Sequence, residues 1–411
     1  MLLDQADIVV VGGGIVGLST AYSLKQRGYD VVLVEQRFLA FGASGRNSGG
    51  IWVQSTAAGP ELELVRRGIA LLTDFESEMG PTFDFARSGG QFFFETEAQH
   101  AALKSYVTDR RQQGIAVEFI TAEEAREAGP GVPESAVGAV YSADDAKMNT
   151  SKFVRALGQL ARRLGIRIYE NTPALSLIRN GDAITGIRTV RGNVMGGGVI
   201  WCAGPWAANL EAEGIDLPLD LVRVGLLTTQ PIRATRPSLT RGPLGAQHVT
   251  ALASLPDFEP DVFNSMVPEP GKPGYEDIAV QDGEGNLLIG HTLDAANSLN
   301  PHITMESSRT MIDTILQRRP EYGELGVTGL WAGIVGNTPD RLPIIDNVEG
   351  LYVNTGHSSG AGTGTMSGEL MAQLVTGESP AMPLETFALS RPALATRFKT
   401  EGTDIYAGES H

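Results

Sequence analysis

The chain has 411 residues, 42% of them hydrophobic and 19% charged, and a formal net charge of −16. That length predicts two or three domains with ample core, and the acidic balance argues against nucleic acid and anionic membrane surfaces as partners. A single cysteine excludes an intramolecular disulfide framework; with no secretory leader and no run of ~20 apolar residues in view, a cytoplasmic location is expected.

The first element is a β-branched run, Ile8-Val9-Val10-Val11, that breaks at Gly12 and passes into a helical pattern. The break reads G-x-G-x-x-G at Gly12, Gly14 and Gly17. In a strand–turn–helix unit the first glycine permits the tight turn. The second lets backbone approach a pyrophosphate, and the third lets helix and strand pack closely. A second strand over residues 30–35 ends in Glu35, near the ~20-residue spacing of the acid that binds ribose hydroxyls. The unit reads as a βαβ dinucleotide cradle with a helix N-terminus facing the phosphates.

Next comes Gly42-Ala43-Ser44-Gly45-Arg46-Asn47-Ser48-Gly49-Gly50, too rich in Gly and Ser for regular structure. Apolar residues at helical spacing predict helices over residues 61–79, 98–113, 122–128, 151–164 and 307–319. Residues 84–96 read as strands around a Gly89-Gly90 turn. Short strands are expected over 166–169, 174–179 and 183–189, at Val194, and over 199–202. Residues 220–300 read as longer mixed strands, with a loop at Pro268-Glu269-Pro270-Gly271. A strand over 350–354 leads to a second glycine-rich turn, 356–364, and a helix over 365–376. Cys202 lies in an apolar strand, where a packed, inert thiol is expected. His100, His248, His291, His302 and His411 show no metal-ligand spacing, so no metal is expected. The motif-bearing pieces stand at the start, middle and end. They predict an α/β, Rossmann-like nucleotide domain that is discontinuous in sequence: residues 1–84, 145–219 and 325–390. Residues 85–144 and 220–324 then form a second domain, and 391–411 a tail.

Two further blocks join the first one. They are Val199-Ile200-Trp201-Cys202-Ala203-Gly204-Pro205-Trp206, and Asn337-Thr338-Pro339-Asp340-Arg341-Leu342-Pro343 followed by Thr355-Gly356-His357-Ser358-Ser359-Gly360. In this order the chain resembles the FAD-dependent D-amino-acid oxidase superfamily, among which glycine oxidase, sarcosine oxidase and D-amino-acid dehydrogenase are the most similar. The resemblance implies FAD and a second domain whose large mixed or antiparallel sheet roofs the flavin. It implies oxidation of the C–N bond of a small amine or N-substituted amino acid, with hydride passing to flavin N5 and the imine hydrolysing. It implies FAD contacts from Gly12, Gly14, Ile15, Val16, Gly17, Glu35 and Gln36, and from Ser44, Gly45, Arg46, Asn47, Ser48, Gly49 and Gly50. Further contacts come from Ala174, Ala203, Gly204, Trp206, Gly333, Val335, Gly356, His357, Ser358, Ser359, Gly360 and Ala361. With no flavin-linking Cys in the 331–340 segment and no His in the 44–50 block, the FAD is expected to be noncovalent.

Two departures stand out. The Arg that usually grips the α-carboxylate aligns with Val335, an apolar side chain. Arg46, Arg223 or Arg341 takes its place, or the substrate lacks a carboxylate there. These three and His357 are the candidate catalytic residues. Leu288 stands where sarcosine oxidase has an oxygen-activating Lys, which tilts the acceptor from O₂ toward a quinone or electron carrier. A 2-hydroxy-acid or polyol dehydrogenase, and a flavin-binding subunit of a larger complex, remain alternatives; a homo-oligomer is compatible with either.

Overall fold

The computed structural model describes residues 1–233, 239–263, 266, 272–296 and 298–394. The first part of the chain runs β1 (Leu2–Val11), α1 (Ile15–Gln26), β2 (Val31–Val34), β3 (Gly50–Ile51), α2 (Pro60–Met79) and β4 (Gly90–Phe94). Then come α3 (Glu97–Gln112), β5 (Val117–Thr121), α4 (Ala122–Ala128), β6 (Gly138–Ser142), β7 (Ala146–Lys147) and α5 (Thr150–Arg163). The middle holds β8 (Arg167–Tyr169), β9 (Ala174–Asn180), β10 (Ala183–Thr189), β11 (Gly192–Trp201), β12 (Asp220–Pro231) and β13 (Leu239–Arg241). Last are α6 (Thr250–Ala253), β14 (Gly274–Gln281), β15 (Asn286–Ala295), α7 (Met305–Arg318), β16 (Val327–Asn337), β17 (Ile344–Val348), β18 (Leu351–Thr355) and α8 (Gly360–Thr376).

The first sheet runs β17-β18-β11-β1-β2-β8, and β18, β11, β1, β2 and β8 are mutually parallel. Its strands are continuous apolar runs because both faces are covered. On one face Ile8, Val10 and Leu33 share a core with apolar residues of α1, α5 and α8. On the other, Val9, Val32 and Val199 share a second core with Leu177 of β9 and Ile184 of β10. The strand order reverses between β1 and β11, and ligands of open α/β sheets bind outside the carboxyl ends at such a point. The second sheet runs β16-β12-β15-β14-β13-β4-β6-β5 and is antiparallel except where β13 meets β4.

Four expectations need correction. Residues 84–96 do not form a hairpin: Asp84 takes a left-handed φ of 53°, and β4 pairs with β6 and β13 instead. Val194 and residues 199–201 are one strand, β11, which runs the full length of β1, and Cys202 lies just past its end. The last helix starts at Gly360 rather than residue 365. Its glycines are packing surfaces, not turn residues. An added Cβ would meet Ile15 at 2.8 Å from Gly364, and the Thr20 backbone nitrogen at 2.7 Å from Gly368. Small residues thus let α8 lie against α1, and on α2 Gly68 abuts the Gly362 carbonyl. Finally, β16 pairs with β12 in the second sheet, although residues 325–390 were expected in the nucleotide domain. The loop at 268–271, His411, and positions 395–411 of the tail lie outside the described residues.

Candidate active site

The carboxyl edge of the first sheet and one face of the second enclose a cavity of about 760 Å³. The strand ends deliver Gly12, Glu35, Ala203 and Gly356 to it. Gly12 has φ +114°, and an added Cβ would sit 2.4 Å from the Cys202 carbonyl oxygen. At Gly17 the Cβ would fall 2.0 Å from the Gly12 oxygen, so this glycine serves strand–helix contact and does not face the cavity. Gly45 is likewise outside the lining, pressed against the Ala40 carbonyl. Gly14, Ile15 and Val16 bring the N-terminal end of α1 to the cavity, and the Ile15 N–H donates to Ser44 Oγ at 3.0 Å. Glu35 accepts from the Gly13 N–H at 2.7 Å and the Arg37 N–H at 2.9 Å. Burial pushes its carboxyl up against the pull of these donors. Gln36 and Ala174 complete this end. A helix N-terminus, a floor without Cβ atoms and a braced carboxylate at a strand end fit a dinucleotide.

From here the Ser44–Gly50 segment crosses beneath the second sheet. Asn47, Ser48, Gly49 and Gly50 line the cavity, as do Gly204 and Trp206 across from them. Arg46 lines it too, but its Nε donates to the Phe41 carbonyl at 2.9 Å and its Nη1 to the Ala332 carbonyl at 3.0 Å. Gly333 admits this latch, since a Cβ there would approach Arg46 Cβ to 2.9 Å. Arg46 therefore pins the loop to β16. Ser358, Ser359, Gly360 and Ala361 present the N-terminus of α8. His357 beside them has both ring nitrogens engaged: Nδ1 lies 3.0 Å from Thr363 Oγ1 and Nε2 3.0 Å from Asn354 Oδ1. Desolvation pushes its imidazole down to about 4, so it is neutral near pH 7 and braces the turn.

The facing surface of the second sheet is apolar at one end. Val222, Val224 and Leu226 on β12 join Leu293 on β15 and Val335 on β16. Alternation along β12 sends Arg223 to the opposite face. There it pairs with Asp294 at 3.0 Å and donates to the Asn300 carbonyl at 3.2 Å, so it is removed as a substrate cation. Leu288 does not line the cavity. Arg341 does, and its charge opposes the rise that burial causes at Glu61.

A polar group that the sequence reading passed over occupies the other end. Arg241 on β13, Glu276 on β14, His291 on β15 and His248 all line the cavity. Glu276 Oε1 lies 2.6 Å from His248 Nδ1 and 3.5 Å from Arg241 Nη2, and Oε2 lies 3.3 Å from His291 Nδ1. Burial raises the Glu276 carboxyl, but His248 and Arg241 outweigh it and hold it well below the usual carboxylate range. The available signal was an acidic pair, Glu276-Asp277, inside the otherwise uncharged stretch 274–280, with Glu276 on the same side as Ile278.

Residues 7–374 match the family described as DAO, FAD dependent oxidoreductase. The chain belongs to that family. Within it, the chain is 26% identical to glycine oxidase of Pseudomonas aeruginosa over 391 residues, covering 91% of this chain and 95% of the relative. It is 24% identical to sarcosine oxidase subunit beta of an Arthrobacter species, covering 96% of this chain and 91% of the relative. The fold is similar to the crystal structure of glycine oxidase from Bacillus cereus: TM-score 0.78 and 22% identity, over 94% of this chain and 99% of that one. This DAO-family chain is an FAD-dependent oxidoreductase. Among the described residues no helix is long and apolar enough to cross a membrane, and no cluster of three His, Cys, Asp or Glu side chains is placed to hold a metal.

Proposed function

We propose that the protein oxidises the C–N bond of a small amine or N-substituted amino acid. The observation that carries this reading is one continuous cavity, running from the dinucleotide cradle at Gly12 and Glu35 to a chamber beneath the second sheet. Bound FAD supplies a two-electron acceptor. The chain's own residues hold the substrate against it and exclude water: Val222, Val224, Leu293 and Val335 form an apolar wall. The N-terminus of α8 faces the cavity, where its dipole stabilises negative charge. The names of the relatives, glycine oxidase and sarcosine oxidase subunit beta, support amino-acid and N-methyl amino-acid donors. Under anaerobic conditions one or more such amines bleaches the flavin band of the purified protein. If 2-hydroxy acids bleach it and amines do not, the reading fails.

We further propose that the FAD is held without a covalent bond. Cys202 is buried, and desolvation pushes its thiol up to about 12, so it offers no thiolate for linkage. His357 is engaged at both nitrogens. Acid precipitation is expected to leave all of the yellow colour in the supernatant; colour in the washed pellet would show a covalent link.

A further inference from the structure

Val335 leaves the apolar wall without a cation, yet the cavity holds a buried guanidinium elsewhere. Arg241 is 7% exposed, and its Nε has no hydrogen-bond partner among the described residues. Arginine only donates, through five N–H groups. Here the guanidinium has a 3.5 Å ion pair to Glu276, and it stands 5.5 Å from the Trp52 ring centroid. A buried donor of this kind is costly unless an acceptor meets it. The sheet order β16-β12-β15-β14-β13 separates Val335 from Arg241 by four strand steps, about 19 Å of sheet. That is farther than an arginine side chain extends, so Arg241 does not reach back to the Val335 position.

We propose that Arg241 is the carboxylate receptor of the substrate. The receptor sits at the β13 end of the cavity, with Trp52 as its platform and Glu276, His248 and His291 as its surround. The proposal rests on the amine-oxidation reading and narrows it to an amino acid or N-alkyl amino acid rather than a simple amine. The carboxylate meets the cavity-lining side of the Arg241 guanidinium in a charge-assisted contact. The apolar remainder lies along Ile278 and Leu293 toward Val335, which are on the same face of the sheet. Glu276 then acts as a positioning residue, fixing Arg241 and both imidazoles so that the fork is preformed.

The test is calorimetric titration of the FAD-loaded protein with butanoate, and with butanamide as the uncharged match. Butanoate is expected to bind at least about tenfold more tightly, the scale of one charge-assisted hydrogen bond. Arg241→Met removes that preference, Arg241→Lys keeps part of it, and Arg341→Met leaves it unchanged. The flavin absorbance of each variant reports folding independently, and Arg241→Lys decides the matter if Arg241→Met does not fold. Undiminished preference in the Arg241 variants overturns the proposal, and so does loss of preference in Arg341→Met alone. Binding requires no turnover. A positive titration together with failure to bleach with any amine would therefore sink the reaction assignment and leave the receptor standing.

Discussion

Replacing Gly17 by alanine is expected to weaken FAD retention. The new Cβ would lie 2.0 Å from the Gly12 carbonyl oxygen and 3.3 Å from Cys202 Cβ. The first is a main-chain atom and the second belongs to a buried side chain, so α1 must shift away from β1. Overpacking of this kind costs about 1–3 kcal/mol, and because the displaced elements carry the phosphate cradle, the loss falls on FAD affinity as roughly a ten- to hundredfold drop. The flavin-to-protein absorbance ratio after gel filtration reads it directly. Gly323→Ala serves as the control: its nearest neighbour would be the Leu316 side chain at 3.7 Å, an ordinary contact. Retention of FAD by Gly17→Ala at the level of the control would show that close helix–strand approach does not hold the cradle in place.

Asp145→Asn changes the pH dependence of stability. Asp145 is fully buried and braces the segment that carries Trp52 into the cavity. Its Oδ1 accepts from the Gln54 N–H at 2.9 Å and its Oδ2 from Gln54 Nε2 at 2.8 Å. Burial raises its carboxyl from 3.8 to about 7, more than the Gln54 donors lower it. Between those values the folded protein holds a proton that the unfolded chain has released. Stability contributed through this group therefore falls as pH rises across the window, and is constant above it. The shift corresponds to at most ~4 kcal/mol. Asparagine has the same shape and no charge; Gln54 Nε2 also donates to the Gly90 carbonyl at 2.9 Å and keeps its orientation, so the hydrogen bond that asparagine forgoes costs the same at every pH. Denaturant unfolding at pH 4 and pH 8 is expected to show Asp145→Asn gaining on the native protein as pH rises. An equal difference at both pH values would mean that the native carboxyl titrates normally.

The opening strand–turn–helix–strand unit was legible because its demands are local. Gly12, Gly14 and Gly17 are spaced by the geometry of one turn, and Glu35 by the length of one βαβ unit. Helices α4 and α5 were readable for the same reason: their caps and apolar faces are written within a few residues. The glycines of α8 misled because sequence spacing does not distinguish a glycine that bends the chain from one that admits a neighbouring helix. Only the contacts of Gly364 with Ile15 and Gly368 with Ser19 separate the two. The 84–96 segment misled because β4 takes its partners from residues 138–142 and 239–241, pairings that no local pattern encodes.

The candidate cations divide in the same way. Arg223, Arg46 and Arg341 were equivalent as letters. The alternation of β12, set by its register with β16 and β15, turns Arg223 onto Asp294 on the far face. The Arg46 fork is spent on two main-chain carbonyls. Arg241, Glu276, His248 and His291 come from separate segments with no shared spacing, and sheet pairing alone makes them one group. By itself, then, the sequence determined the βαβ start of a nucleotide-type fold, because the backbone sterics of its glycine turn act over a few residues. The face each strand shows to the cavity, and which charges meet there, were decided only by strand pairing between distant parts of the chain.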